Sequence, residues 1–363
     1  MKTLNAITDP VYHVKTSYSP YEKFWLRYIN DNRDLPFIHL LTVIHILVIP
    51  VAIFLYTPVL DGWRWWLLYI PYFYVSQLYL KGRFGLMLHN ICHRKLFKKP
   101  YHWIHNWIIW GVCPFFGHTP ETYFVHHMAM HHVENNMPND SSSTMFFRRD
   151  SLRSFILYYL NFIFLGLRDT FLYLFTRKKK KMYLRLTYGE LSFFVFCTLM
   201  CFVNLKATLW LFIIPFFLAR LVMMIGNWSQ HAFVDKNEPD NHFKNAVNCI
   251  NTIYNHTCWN DGYHVIHHMR PAMHYTEMPV EFLNQKDKLA EEKSLVFDGI
   301  HYLHIFVYLV TKRYDKLADH LVNINNMFAT KEDAIALLKE RTKKMSLQDF
   351  AVNGKHSLKP QYY

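Results

Sequence analysis

The stretch PFIHLLTVIHILVIPVAIFLYTPV, residues 36–59, contains no charged side chain. Its 24 residues exceed the roughly 20 that a helix needs to cross the hydrocarbon core of a bilayer. We therefore predict that residues 36–59 span a membrane. The turn-forming sequence TPVLDGW overlaps the end of this stretch, and residues 64–80 form a second predicted span. Because the connection is short, the two helices are expected to form a hairpin.

A second pair of apolar runs, residues 189–204 and 207–226, is separated by a short turn and predicts a second hairpin. Nearly all Lys and Arg residues lie outside the hairpins: in the N-terminal segment, in residues 81–188 and after residue 231. By the positive-inside rule these three regions share the cytosolic side. The predicted fold class is therefore an all-α integral membrane protein, with four transmembrane helices in two hairpins and a cytosolic helical cap.

Residues 152–175 form a fifth apolar run that the prediction does not count as a span. The run contains Arg153, Arg168 and Asp169. Charged side chains are costly inside hydrocarbon. We therefore predict that this run lies at the membrane interface or is partly buried in protein.

Three regions follow from this pattern: a cytosolic N-terminal segment (1–35), a membrane domain (36–310) and a cytosolic C-terminal tail (311–363). In the tail, the sequence from Thr330 to Asp333 resembles a capping box that opens a short helix. The formal net charge is +13, and the basic residues flank apolar runs. Anionic headgroups explain that distribution better than nucleic acid, which we exclude as a partner.

Histidines are concentrated in four short clusters, each next to a predicted span on the cytosolic side. The clusters are HNICH (89–93), HMAMHH (127–132), NWSQH (227–231) and HVIHH (264–268). Residues three or four apart share a helix face, so each cluster is expected to present its side chains to one point. A lone histidine in a helix is usually a packing residue. Repeated clusters at membrane boundaries indicate a functional site instead.

The second cluster is preceded by a further histidine, so VHHMAMHH (125–132) holds four. On a regular α-helix His127 and His131 are neighbours, His132 is next to them, and His126 points away. We therefore predict that His126 is not a ligand. Imidazole suits Fe, Zn, Cu and Ni. Nine clustered histidines exceed the needs of one ion, which indicates two metals, and iron is favoured where redox chemistry is needed because zinc does none.

These clusters resemble the three histidine boxes of the membrane fatty-acid desaturase family. The segment NDGYHVIHHMRPAMH (260–274) is close to that family's third box, and the resemblance covers about residues 36 to 280. The element Asn227 to His231 is similar to the NxxxH pattern of stearoyl-CoA desaturases. The first box has three intervening residues where those enzymes have four, and the second has three where they have two.

The resemblance implies two iron ions held by nine histidines, with Asn227 contacting one metal through water. The implied histidine ligands are His89, His93, His127, His131, His132, His231, His264, His267 and His268. It also implies a four-helix membrane fold with a cytosolic cap. No HPGG haem motif is present, so the electrons are expected from a separate donor of cytochrome b5 or ferredoxin type.

The expected activity is the dioxygen-dependent introduction of a double bond into the acyl chain of a lipid or acyl-CoA. A membrane hydroxylase or alkane monooxygenase is the nearest alternative, because it shares the boxes. A histidine-rich metal transporter is a third, although its ligands would lie near the bilayer midplane rather than at the ends of spans. The expected location is the endoplasmic reticulum or a bacterial inner membrane, with the boxes on the cytosolic side.

Carboxylates are expected to hold the ligand imidazoles in one tautomer. Five acids lie close in sequence to the predicted ligands, and Asp261, three residues before His264, is the first choice. The others are Glu134, Glu277, Asp140 and Asp235. The polar stretch ENNMPNDSSST (134–144) is interpreted either as a loop that shapes the cytosolic entrance or as a plain loop.

Overall fold

The computed structural model describes residues 1–351, and most of this chain is helical. The chain divides into two compact units. The first unit comprises Met1–Val11, His127–Lys179 and the chain from Val222 onward; the second comprises Tyr12–His126 and Lys180–Leu221. The helix Ile214–Gln230 contributes residues to both. The division expected from the sequence, into residues 1–35, 36–310 and 311–363, stays a prediction.

The second unit is built from apolar helices, several of which contain a π-turn. Its helical segments are Pro20–Trp25, Asn32–Asp34, Leu35–Val43, Ile44–Val48, Ile49–Leu55, Gly62–Phe73, Tyr74–Tyr79, Lys81–His93, Lys99–Tyr101, His102–Trp107, Ile108–Val112, Cys113–Phe116, Thr122–His126, Lys180–Thr208 and Leu209–Ile213. Many large apolar side chains of these helices are exposed, as expected for surfaces that face lipid.

Three helical stretches are long and apolar enough to cross a membrane: Asn32–Leu55, Leu152–Thr176 and Lys180–Gln230. The first contains most of the predicted span 36–59. The third, 51 residues long, contains both predicted spans of the second hairpin. The predicted span 64–80 is helical in the structure but is not among the three. The helix Leu152–Thr176 meets the criteria by length and composition, and its predicted interfacial position stays a prediction.

The long helical stretch from Lys180 is broken at Asn204, whose φ of −155° and ψ of 98° are not helical. Asn204 Oδ1 accepts a hydrogen bond from Ala207 N at 3.0 Å and so caps the helix that follows. Residues at similar distances before and after Asn204 meet: the rings of Phe196 and Phe212 are 5.1 Å apart. The two halves therefore pack antiparallel, and the turn lies one residue before the predicted one.

Close helix packing in the second unit requires a glycine at position 189. A Cβ atom there would lie 1.9 Å from the carbonyl oxygen of Pro120, which is backbone and cannot move aside. We expect Gly189→Ala to destabilise the protein by about 1–3 kcal/mol or more. The matched control is Gly226→Ala, another helical glycine, where a Cβ meets nothing within 4 Å. Thermal unfolding in detergent measures both, and equal midpoints would contradict the prediction.

The first unit surrounds a short parallel sheet, which is an exception to the all-α prediction. The strands Val247–Ile250 and Leu295–Asp298 pair in register from Val247 opposite Leu295. The helical segments of this unit are His127–His131, His132–Glu134, Leu152–Thr176, His242–Asn245, Ile253–Thr257, His264–Met269, Met278–Asn284, Lys286–Glu291, Tyr302–Val310, Tyr314–His320, Ile324–Asn326, Lys331–Arg341 and Leu347–Ala351. All eight strand residues are buried.

The sheet positions the third histidine box. Asn248 Oδ1 accepts a hydrogen bond from Val265 N at 3.0 Å, and Cys249 N donates to the carbonyl of Gly262 at 2.7 Å. The chain start adds a further contact, because the buried carboxylate of Asp9 accepts from Tyr263 Oη at 2.7 Å. The segment before His264 is therefore held from two sides.

The predicted capping box near the C-terminus is confirmed. Thr330 Oγ1 accepts from Asp333 N at 3.1 Å, and Asp333 Oδ2 accepts from Thr330 N at 3.0 Å. The helix Lys331–Arg341 begins there.

Candidate metal centre

The second histidine box does not lie on a regular α-helix. The helix Thr122–His126 passes into a π-turn, His127–His131, before the short helix His132–Glu134. A π-turn brings residues five apart together, since its hydrogen bonds run from i to i+5. Accordingly, the Nε2 atoms of His127 and His132 are 2.9 Å apart. His127 and His131 are neighbours as predicted, with rings 5.7 Å apart, but the π-turn makes His132 the nearer partner of His127, which the regular α-helix did not predict.

His127 and His132 belong to a first histidine group together with His267 from the third box. Their ligand nitrogens lie within 4.8 Å of one another. The Nε2 atoms of His267 and His132 are 3.0 Å apart. Two of these side chains are buried and His132 is partly exposed.

A second histidine group consists of four buried side chains: His131, His231, His264 and His268. His264 Nε2 lies 3.2 Å from His231 Nε2 and 3.0 Å from His268 Nε2. The second and third boxes are thus each divided between the two groups. The expectation that each cluster points to a single position was wrong for both.

The two histidine groups are adjacent within the first unit. The rings of His131 and His132 are 5.9 Å apart, and those of His132 and His268 are 5.0 Å apart. Neither group contains His126, among the residues that the structure describes. The arrangement therefore offers two neighbouring metal positions, with donors that are all imidazole nitrogens.

The geometry of both groups fits metal ions. Two nitrogens bound to one ion at about 2.0–2.1 Å, with an angle of 90° at the ion, lie about 3 Å apart. The Nε2 atoms of these groups are separated by similar distances. Burial lowers the pKa of His231 to about 3 and the pKa of His268 well below its ordinary value. Both side chains are therefore neutral at physiological pH, which is the form that binds a metal.

The outer nitrogens of two histidines in the second group are held by hydrogen bonds. His131 Nδ1 donates to Asp140 Oδ2 at 2.7 Å. His231 Nδ1 donates to the carbonyl oxygen of Asn245 at 3.0 Å. Because these bonds fix the proton on Nδ1, the Nε2 lone pair of each ring faces its histidine group.

The polar stretch 134–144 is a buried support for the second histidine group. Asp140 Oδ1 accepts from both the backbone nitrogen and the hydroxyl of Ser142, which fixes its carboxylate. Thr144 Oγ1 donates to the carbonyl of His231 at 2.8 Å, and Asn136 Oδ1 accepts from Thr144 N at 2.8 Å. From the sequence this stretch was interpreted as a loop that shapes the cytosolic entrance or as a plain loop. Neither interpretation included support of the histidine group.

Comparison with known families agrees with this site. The model of the fatty acid desaturase family matches residues 64–295, well over half of the chain. The chain belongs to the fatty acid desaturase family. No curated protein and no solved structure gave a match. The matched residues include all the histidines and the asparagine predicted as ligands.

The first histidine box of this family member lies in the second unit, on the helix Lys81–His93. The rings of His89 and His93 are 5.5 Å apart, so the two residues share a helix face as the sequence predicts. Their role as metal ligands stays a prediction from the family pattern.

Asn227, the predicted water-mediated ligand, lies in the last turn of the helix Ile214–Gln230. Its amide nitrogen donates to the carbonyl of Ser142 and to Tyr158 Oη, both at 2.8 Å. These bonds fix the side chain through its nitrogen and orient the amide oxygen. The role toward a metal stays a prediction.

The acids expected to orient ligands have several partners in the structure. Asp261 Oδ2 accepts from Tyr254 Oη at 2.6 Å and from Gln230 Nε2 at 3.2 Å. Glu134 Oε1 accepts from Tyr173 Oη at 2.7 Å. Glu277 immediately precedes the helix Met278–Asn284. Their role toward ligands stays a prediction, whereas Asp140, ranked below Asp261 from the sequence, does bind His131 of the second histidine group.

Proposed function

We propose that this protein is a membrane-bound, dioxygen-dependent di-iron desaturase that introduces a double bond into the acyl chain of a lipid or acyl-CoA. The observation that carries the proposal is the pair of adjacent all-nitrogen groups in a chain of the desaturase family. Nitrogen ligands suit iron among the redox-active metals. Two bound irons would supply the activation of dioxygen that is needed to remove hydrogen from unactivated methylenes, which acid–base side chains cannot do.

In this proposal the first group (His127, His132 and His267) and the second group each hold one metal. His89 and His93 are further ligands of the same centre, as the family's first box implies, and Asn227 contacts it through water. Asp140 keeps His131 in the tautomer that binds metal. The side chains thereby provide a donor set of imidazole nitrogens, part of it fixed by hydrogen bonds, before any metal enters.

The proposed reaction takes one hydrogen from each of two adjacent methylenes of the acyl chain. Dioxygen, two electrons and two protons are consumed, and two water molecules leave with the alkene. The electrons come from a separate donor of cytochrome b5 or ferredoxin type. The protein's task is to orient the chain so that one pair of carbons meets the centre.

We further propose that the chain crosses the membrane four times, at about residues 36–59, 64–80, 189–204 and 207–226, as two hairpins below a cytosolic helical cap. The basic residues outside these hairpins support this orientation. The membrane is the endoplasmic reticulum or a bacterial inner membrane.

Product analysis tests the proposed function. The full chain is expressed in a host that lacks endogenous desaturases, and total acyl chains are analysed by mass spectrometry. We expect new monounsaturated chains that require oxygen and disappear in the variant His268→Ala. Hydroxylated chains without a new double bond would instead identify a hydroxylase. A purified protein that holds only zinc and consumes no oxygen under reducing conditions would exclude both the desaturase and the hydroxylase.

A further inference from the structure

Arg149 is a fully buried cation that is satisfied by backbone carbonyls. Its five N–H groups make six contacts of 2.7–3.3 Å, all with main-chain oxygens, because the two N–H groups of Nη1 are shared among three carbonyls. The acceptors are the carbonyls of Thr144, Met145, Phe147, Ala232, Arg341 and Lys343. Burying a charge is costly unless it is fully hydrogen-bonded. This arrangement therefore fixes the three chain segments that provide the acceptors.

One of these segments carries a member of the second histidine group. Arg149 Nε donates to the carbonyl of Ala232 at 2.9 Å, and Ala232 directly follows His231. On the other side, Trp228 Nε1 donates to the carbonyl of Arg149 at 3.0 Å. The turn that ends in His231 is thus bonded to Arg149 both before and after the ligand.

A second segment reaches the same histidine indirectly. Arg149 Nη1 donates to the carbonyl of Thr144 at 3.2 Å. The hydroxyl of Thr144 in turn donates to the carbonyl of His231 at 2.8 Å. The side chain of Arg149 therefore supports the main chain around His231 by two routes, directly through the carbonyl of Ala232 and indirectly through Thr144.

The third segment belongs to the C-terminal part of the chain. Arg149 Nη2 donates to the carbonyls of Arg341 at 2.9 Å and of Lys343 at 2.7 Å. Val234, three residues after His231, donates its N–H to the carbonyl of Arg341 at 3.1 Å. The end of the helix Lys331–Arg341 is consequently part of the same scaffold.

We propose that Arg149 is a positioning residue for the metal bound by the second histidine group, acting through the main chain around His231. This inference rests on the proposed metal centre and adds a residue that positions one of its histidines. Only arginine offers five N–H donors in a rigid plane, whereas lysine offers three on a flexible stem. A lysine therefore keeps the charge but leaves several carbonyls without a donor.

Metal binding by purified full-length variants tests the proposal. The variants are Arg149→Lys and Arg149→Met, with Arg148→Met as the matched control. Arg148 is adjacent and mostly exposed, and its side chain pairs with Asp150 at 2.7 Å. Each metal-free protein is titrated with Fe²⁺ and, for the absorption spectrum of bound ions, with Co²⁺. Circular dichroism of the metal-free proteins reports folding.

We expect two ions in the wild type and in Arg148→Met, and one ion in Arg149→Met, with loss of part of the Co²⁺ spectrum. For Arg149→Lys we expect two ions, with the second bound about tenfold or more weakly. If Arg149→Met does not fold, Arg149→Lys decides the question. Unchanged affinity for both ions in a folded Arg149 variant would overturn the role of Arg149 and leave the metal centre intact. A wild type that binds fewer than two ions would overturn the proposed centre and this inference with it.

Discussion

Replacing His127 with alanine is expected to abolish desaturation and to remove one of the two metal ions. His127 Nε2 lies 2.9 Å from His132 Nε2 in the first histidine group, so its loss leaves a gap in the donor set. Both metals are needed for the proposed reaction, and a single remaining ion does not replace the pair. Metal content per chain and conversion of acyl chains, both on purified protein, are the measurements.

The neighbouring residue provides a matched control for this prediction. His126→Ala is the same substitution one position earlier in the same box, and His126 belongs to neither histidine group. We expect that variant to retain two metals and substantial activity. Equal losses in the two variants would show that the limits of the second box have been assigned wrongly.

Replacing Asp140 with alanine is expected to weaken metal binding or activity by about 10- to 100-fold, the usual effect of removing an acid that orients a histidine ligand. The carboxylate accepts the Nδ1 proton of His131 at 2.7 Å and is itself held by Ser142. Without it, the ring of His131 is free to rotate or to change tautomer. Metal affinity by titration and steady-state turnover measure the effect.

Asp140→Asn separates the charge from the hydrogen bond. An asparagine oxygen still accepts the Nδ1 proton but carries no charge, so a smaller loss than for alanine is expected. Asp315→Asn is the control, because Asp315 is exposed and pairs only with Arg313 among the ion pairs of the described residues. If Asp140→Ala binds metal as tightly as that control, the contact with His131 does not support the site.

The concentration of histidines could be predicted from the sequence, but their division into two groups could not. Spacing of three or four residues correctly placed His89 and His93 on one helix face. In the second box the same rule placed His127 beside His131 but missed its closer contact with His132, because the π-turn His127–His131 pairs residues five apart. A π-turn of this kind, which adds one residue to a helical turn, depends on packing around the helix. The spacing of residues in the sequence does not reveal that packing.

The contact between Asp140 and His131 was not identified from the sequence for a comparable reason. Asp261 was preferred because it is three residues from His264, whereas Asp140 lies nine residues from the ligand that it holds. A local signal was nevertheless present: an aspartate two residues before a serine is typical of a turn in which the side chain accepts the following backbone N–H. That signal identifies a fixed carboxylate and does not reveal which histidine it meets.

The sequence by itself determined the membrane class, the family and the residue types of the donor set, because hydrophobic length and histidine content are properties of the chain. Only the tertiary structure decided which histidine joins which group, and that a buried arginine holds the turn around His231. The physical reason is that imidazoles become a metal site only when their nitrogens converge to about 3 Å. That convergence is set by hydrogen bonds between segments as far apart in the chain as Arg149 and Lys343.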